Sequence, residues 1–294
     1  MGTGGGAPDT AAPPQSQERK HSMEQKTAIV TGGAGASAGG SGRHISQRLA
    51  GMGYFVAIWD IQDEAGRRVA AQIREQGGRA AYIHCDVCDE AQVKEAMAQT
   101  CAQTGRVDAL VNNAFWHADV QPPLHEVTLE DWDRHMEINL RCHFIVCKHV
   151  IPLLLAQPES VIVNIGTTGA RRGEDGYAAY SAAKAGLESL TRSIAAQYGR
   201  SGLRCNCLVP GLVLEPEVDA RMAGIPAAKA AFDRIDRQAL LALGHGDGAC
   251  VADAAAFLVS DASRWMTGES LVLDGGAISH SAPWADGRAA QHEN

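Results

Sequence analysis

No apolar run in this 294-residue chain approaches the ~20 residues that a membrane-spanning helix needs. The opening stretch, MGTGGGAPDTAAPPQSQERKHSMEQ, lacks the apolar core of a signal peptide. Charge is not blocked by sign: 34 acidic and 26 basic residues are mixed along the chain for a net −8. That balance argues against nucleic acid or an anionic membrane as the main partner. The eleven histidines show no H-E-x-x-H or comparable metal spacing, so no metal site is expected. No internal repeat is evident. These absences leave a cytoplasmic globular chain, long enough for a substantial core, that faces a small molecule.

Glycine is what the chain concentrates. The stretch TGGAGASAGGSGRHI (31–45) follows a short apolar run, KTAIV, and precedes Ile45, Leu49 and Met52 at helical spacing. No Lys-Ser/Thr follows these glycines, which excludes a Walker phosphate loop, but strand, glycine turn and helix is the context of a dinucleotide loop. Further strand-like runs lie near 54–60, 80–85, 107–112, 160–166, 203–209 and 270–273. Helical patterns fall at 43–52, 63–76, 89–103, 129–156, 177–199 and 251–259. Continuous apolar runs such as VDALVNN and SVIVNIG suit strands covered on both faces. The alternation predicts an α/β fold, a Rossmann-like doubly wound parallel sheet of about seven strands in a single domain spanning 25–276. Residues 1–24 read as a disordered tail and 277–294 as a C-terminal extension. The interruption at 212–248 follows a strand end and suits a mobile substrate lid.

Eight cysteines include the pairs Cys85/Cys88 and Cys205/Cys207. They could in principle ligate zinc. Their place in strand-like runs favours reduced thiols acting as small apolar side chains.

The sharpest local signal is YSAAK (180–184) at the head of a helical pattern. Tyr180 and Lys184 stand four residues apart and share one helix face. An ammonium nearby lowers a phenol's pKa, so Tyr180 is a candidate general acid/base toward an alcohol or ketone. Thirteen residues earlier Thr167 ends a strand, and Asn139 lies in the helical MEINL.

With NNA (112–114), CDV (85–87), PGLV (210–213) and MTGESLVLDGG (266–276), this ordered set resembles the short-chain dehydrogenase/reductase family over roughly 25–276. The resemblance implies an oxidoreductase with a nicotinamide cofactor. Tyr180 exchanges the substrate proton, Lys184 holds the nicotinamide ribose, Thr167 bonds the substrate oxygen, and Asn139 anchors a water leading from Lys184. Gly32, Gly40 and Gly42 approach the cofactor phosphates. Asp86 and Val87 flank the adenine, Asn112 and Ala114 line the cofactor near its ribose, and Pro210, Gly211 and Val213 meet the nicotinamide end. Asp60 ends the second strand, where a carboxylate accepts from the adenosine hydroxyls and repels a 2′-phosphate. NAD(H) is therefore expected. The family also implies a homo-oligomer, a tetramer before a dimer, joined through the helices near 129–156 and 177–199.

Four features depart from the family pattern. Seven residues, 33–39, separate Gly32 from Gly40, four more than usual, and the extra ones are expected to bulge outward. Thr167 replaces the usual serine, Phe115 a glycine, and Glu215 a hydroxyl residue that meets the nicotinamide amide. Phe115, Trp116 and Tyr177, with charged Arg171, Arg172, Glu174 and Asp175 at the mouth, suggest a bulky or cyclic secondary alcohol or ketone. The alternative from another class is a nucleotide-binding scaffold without turnover. Reduction of an activated double bond, or epimerase or lyase chemistry on the same scaffold, is a third reading; the four-residue Tyr–Lys interval speaks against enoyl reduction.

Overall fold

The computed structural model describes residues 1–2, 25–35, 40–117, 122–216, 218, 220, 225, 239–241 and 245–279. Seven strands form one parallel sheet: β1 (Thr27–Thr31), β2 (Phe55–Asp60), β3 (Arg79–His84), β4 (Ala109–Asn112), β5 (Ser160–Ile165), β6 (Leu203–Pro210) and β7 (Ser270–Leu273). Their order is β3-β2-β1-β4-β5-β6-β7. The reversal between β1 and β4 opens a crevice beyond the carboxyl ends of these two strands, where ligands of doubly wound sheets bind.

Successive strand residues feed opposite faces. Val30, Ile58, Val111 and Val163 pack under α1 (Ser41–Gly51), α2 (Asp63–Glu75) and α7 (Gly248–Val259). Their neighbours Ile29, Ala57, Leu110 and Ile162 meet side chains of α3 (Glu90–Thr104), α5 (Cys142–Leu154) and α6 (Ala178–Tyr198). Two covered faces explain why these strands read as unbroken apolar runs. The helix expected at 129–156 is interrupted. It divides into α4 (Leu129–Met136), a π turn over Glu137–Arg141, and α5. A single π turn inside a helix carries no composition of its own, so the stretch reads as one helix in the sequence.

The tail expected at 1–24 and the extension at 277–294 lie mostly outside the described residues. So does most of the segment 212–248. Its two ends are clipped together: Leu214 N donates to Gly246 O at 3.0 Å and Gly246 N to Leu212 O at 3.0 Å.

Helix α1 starts almost on top of the β1 exit. A Cβ on Gly42 would overlap the Gly32 carbonyl oxygen and stand 2.8 Å from Asn113 Nδ2. Gly42→Ala is therefore expected to lower the unfolding free energy by about 2–3 kcal/mol. Gly51→Ala, where a Cβ meets nothing within 4 Å, is expected to stay within about 0.5 kcal/mol of the parent. Urea unfolding of both variants checks the contrast.

Candidate active site

The ends of β1 and β4 are tied by side chains. Thr31 Oγ1 accepts from the backbone N–H groups of Asn113 at 3.0 Å and Ala114 at 3.2 Å. Asn113 Nδ2 donates to the carbonyls of Thr31 and Gly32 at 3.2 and 3.0 Å. Gly32 sits at φ +61°, and a Cβ there would come 2.9 Å from Ala114 Cα. Only glycine permits both the left-handed turn and that approach. The next residues fold inward: Gly33 and Ala34 are buried, and Ala34 N donates to Asp60 Oδ2 at 2.9 Å. If Gly33, Ala34 and Gly35 are the ordinary loop residues, the four extra ones are 36–39. The expected outward bulge then lies outside the described residues.

Asp60, 7% exposed, also accepts from Gln62 N at 3.0 Å, so its carboxylate braces the loop from both sides. Asp86 Oδ1 accepts from Cys88 N, and Val87 is buried, its side chain packed in the core beside the turn. Asn112 corrects the expectation placed on it. Its side chain points into the core, donating to Asn164 Oδ1 at 2.8 Å and Cys147 Sγ at 3.3 Å, so it does not line the crevice. The last residue of a strand can face either side, and here it is the following residue, Asn113, that faces the loop.

On α6, Tyr180 stands close enough to Thr167 for the threonine hydroxyl to favour the ionised phenol. Lys184, one turn on and 1% exposed, holds its Nζ 6.0 Å from the Tyr180 ring centre and donates to Ile165 O at 2.9 Å. The expected lowering of the Tyr180 pKa is not found in the protein alone. Burial pushes the phenol up, the Glu174 carboxylate adds to the rise, and the Thr167 hydroxyl opposes it. Burial likewise drives Lys184 down to about 8, against the pull of Cys142 and Cys207. Desolvation is the largest cause of both shifts.

Asn139 is fully buried in the π turn. Its carboxamide donates to Trp116 O at 2.8 Å and His135 O at 3.1 Å, and accepts from Trp116 N at 3.2 Å. The side chain thus grips the loop after β4.

That loop turns aromatic groups toward Tyr180. The His117 ring lies 6.0 Å from Tyr180, 6.1 Å from Tyr177 and 5.9 Å from Phe115, and Arg134 stacks 4.0 Å over Trp116. Phe115 and Tyr177 are where the sequence pointed; His117 and Arg134 carry no motif and were not singled out. Arg171 leaves the mouth: it forks onto Glu188, buried on α6, at 2.6 and 3.2 Å. Arg172 and Glu174 pair at 3.5 Å.

At the far side, Pro210 ends β6, a Cβ on Gly211 would press on Asp274, and Val213 bridges to Gly246. Glu215 follows and reaches back to α1. Its Oε2 accepts from Arg43 Nη2 at 2.6 Å, and His44 Nε2 lies 3.1 Å from Oε1. Gly32, Gly40 and Gly42 leave the close backbone approach that a dinucleotide needs, and Gly40 gives α1 no capping side chain. The glycine cradle and the Asp60 end fit such a cofactor. The Glu215 carboxylate lies against Gly40 at the start of α1.

Among the described residues no group of three or more His, Cys, Asp or Glu could hold a metal, and no helix is long and apolar enough to cross a membrane. The described cysteines are free. A groove of about 680 Å³ between α2, α3 and the β3 edge contains none of the site residues.

The family model described as Enoyl-(Acyl carrier protein) reductase matches residues 35–278. A cis-4-hydroxycyclohexanecarboxylate dehydrogenase of Sinomonas cyclohexanicum is 36% identical over 86% of this chain and 96% of its own length. A 2,5-dichloro-2,5-cyclohexadiene-1,4-diol dehydrogenase of Sphingobium indicum is also 36% identical, over 86% of this chain and 97% of its own. A solved short-chain dehydrogenase/reductase structure from Burkholderia xenovorans superposes with a TM-score of 0.81 at 33% identity, covering 88% of this chain and 99% of that one.

The buried Lys184 gives a pH signature. The unfolded chain keeps this proton up to about 10.5, the fold only to about 8. The unfolded state therefore binds more protons between those values, and this contribution to stability grows as pH rises through them. Relative to Lys184→Met, the wild type is expected to gain up to about 3 kcal/mol from pH ~8 to pH ~10.5. Paired melting curves check it.

Proposed function

Because the chain belongs to the short-chain dehydrogenase/reductase family, we propose that it interconverts a cyclic secondary alcohol and its ketone with NAD(H), Tyr180 acting as general acid/base. It is an oxidoreductase of CH–OH groups, and the observation that carries the finer reading is buried Lys184 one turn from Tyr180, its Nζ 6.0 Å from the phenol ring centre, with Thr167 beside the same phenol. The bound nicotinamide cofactor supplies the hydride acceptor or donor. Thr167 and Tyr180 together grip the substrate oxygen, and Tyr180 Oη takes or returns its proton. Lys184 holds the nicotinamide ribose hydroxyls; its charge favours tyrosinate once the phenol must give up its proton. Asn139 keeps the Trp116 loop in place. Phe115, His117 and Tyr177 supply an aromatic wall that suits a ring, in keeping with the cyclic alcohols named for the two dehydrogenase relatives.

Asp60 supports NAD(H) over NADP(H). Two of its lone pairs bind backbone N–H groups, which leaves acceptor capacity for adenosine hydroxyls and a negative charge against a 2′-phosphate. Oxidation is the proposed direction, in the cytoplasm. A homotetramer is proposed through the helices flanking the site, where Leu129 and Phe144 are 81% and 52% exposed. The four-residue Tyr–Lys interval supports CH–OH chemistry over reduction of an activated double bond. A scaffold without turnover has one observation in its favour, the Glu215 carboxylate against Gly40 at the start of α1.

Fluorescence titration should show NADH binding at least about tenfold tighter than NADPH, with that preference lost in Asp60→Ala. With a cyclic alcohol, Tyr180→Phe should lower kcat about a thousandfold at little cost in NADH affinity. The oxidation rate should rise with pH, because the phenol must be deprotonated to accept the alcohol proton, and the reduction rate should fall. Retained turnover in Tyr180→Phe would remove Tyr180 from the mechanism.

A further inference from the structure

The N-terminus of α1 is not an open anion site in this protein. Glu215 is 8% exposed, and its carboxyl carbon lies so near Gly40 that a Cβ there would be 2.5 Å away. Oε2 accepts from Arg43 at 2.6 Å and is hydrogen-bonded to His44 Nε2 at 3.2 Å, whereas the buried Oε1 has no hydrogen-bond partner among the described residues. The helix dipole and first-turn N–H groups draw any anion to this end. Glu215 thus supplies from within the chain the charge that a dinucleotide's diphosphate would bring from outside.

Both cannot remain. A carboxylate and a diphosphate at one helix end repel each other, and the space beside Gly40 is already filled. The tether is weak enough to release: the Arg43 side chain is 38% exposed and that of His44 28%, so water screens both. Glu215 also sits just after the Val213–Gly246 bridge, where β6 gives way to a loop, so its side chain can swing without disturbing the sheet.

We propose that Glu215 is a displaceable occupant of the diphosphate position: it fills the start of α1 in the nucleotide-free protein, is expelled by the dinucleotide, and leaves Arg43 and His44 to bind the phosphates. This rests on the NAD(H) reading above. It assigns Arg43 and His44 to cofactor binding, and it gives Glu215 a part in setting cofactor affinity.

The test is NADH titration, by fluorescence, of the wild type, Glu215→Gln, Glu215→Thr and the double variant Arg43→Ala/Glu215→Gln, with melting curves to confirm folding. Glu215→Gln and Glu215→Thr are expected to bind NADH about tenfold tighter than the wild type, because no charge has to be expelled. Adding Arg43→Ala to Glu215→Gln should weaken binding about fivefold, and that loss should shrink as salt is raised. Inorganic pyrophosphate should displace NADH more readily from Glu215→Gln than from the wild type. Wild-type binding with both single variants within about twofold of it, or weaker, overturns the proposal and leaves the cofactor reading intact. An Arg43→Ala effect of less than about twofold in the Glu215→Gln background removes Arg43 from the phosphate site. If no form binds NADH or NADPH, the cofactor reading itself falls, and this inference with it.

Discussion

Two backbones meet where β1 and β4 leave the sheet, and the geometry of the site follows from that approach. Gly32 and Ala114 can come so close only because one has no Cβ and the other a single methyl. On the β1 side, the left-handed Gly32 turn sends the chain inward through Ala34 to Asp60, then back to start α1 beside the Gly32 carbonyl. On the β4 side, Asn113 closes the gap with its carboxamide, and the next residues run out as Phe115, Trp116 and His117. A side chain at either contact would shift α1 and the aromatic wall together, since packed interiors transmit small displacements.

The π turn is the counterpart on the other side of the crevice. One continuous helix from 129 to 154 would present Asn139 at a different angle. The wider turn instead buries its carboxamide against the Trp116 backbone, which ties the loop after β4 to the α4–α5 junction. The same turn sets Leu140 against Gly186 of α6, where a Cβ would stand 2.8 Å from Leu140 Cδ2. The helix carrying Tyr180 and Lys184 is therefore positioned by the element that holds the loop opposite it. Burial then acts on the pair: it raises the phenol and lowers the ammonium, so each is nearer neutrality than in water. The loss of Lys184 hydration is offset in part by a backbone carbonyl, Ile165 O.

Much of this was legible beforehand. Every strand lies within two residues of its expected place, because strands covered on both faces are unbroken apolar runs between polar turns. Tyr180 and Lys184 share a face because the helix period dictates it, and the hydroxyl of Thr167 falls beside Tyr180 because β5 ends there. Other features had no local signature. The π turn carries no residue signature of its own, so 129–156 reads as one helix. Asn112 and Asn113 are the same residue type in succession, and only the sheet's pleat decides which one faces the loop.

Local composition and periodicity determined the doubly wound sheet, the glycine turn after β1, the acid at the end of β2 and the Tyr–Lys face, since each depends on neighbours a few residues away. Tertiary structure alone decided that Asn139 grips Trp116, that His117 stands by Tyr180, and that Glu215 reaches Arg43 across 172 positions of chain. Those contacts depend on where separate loops land at one end of the sheet, and the loop geometry is set by the packing of the strands and helices that carry it.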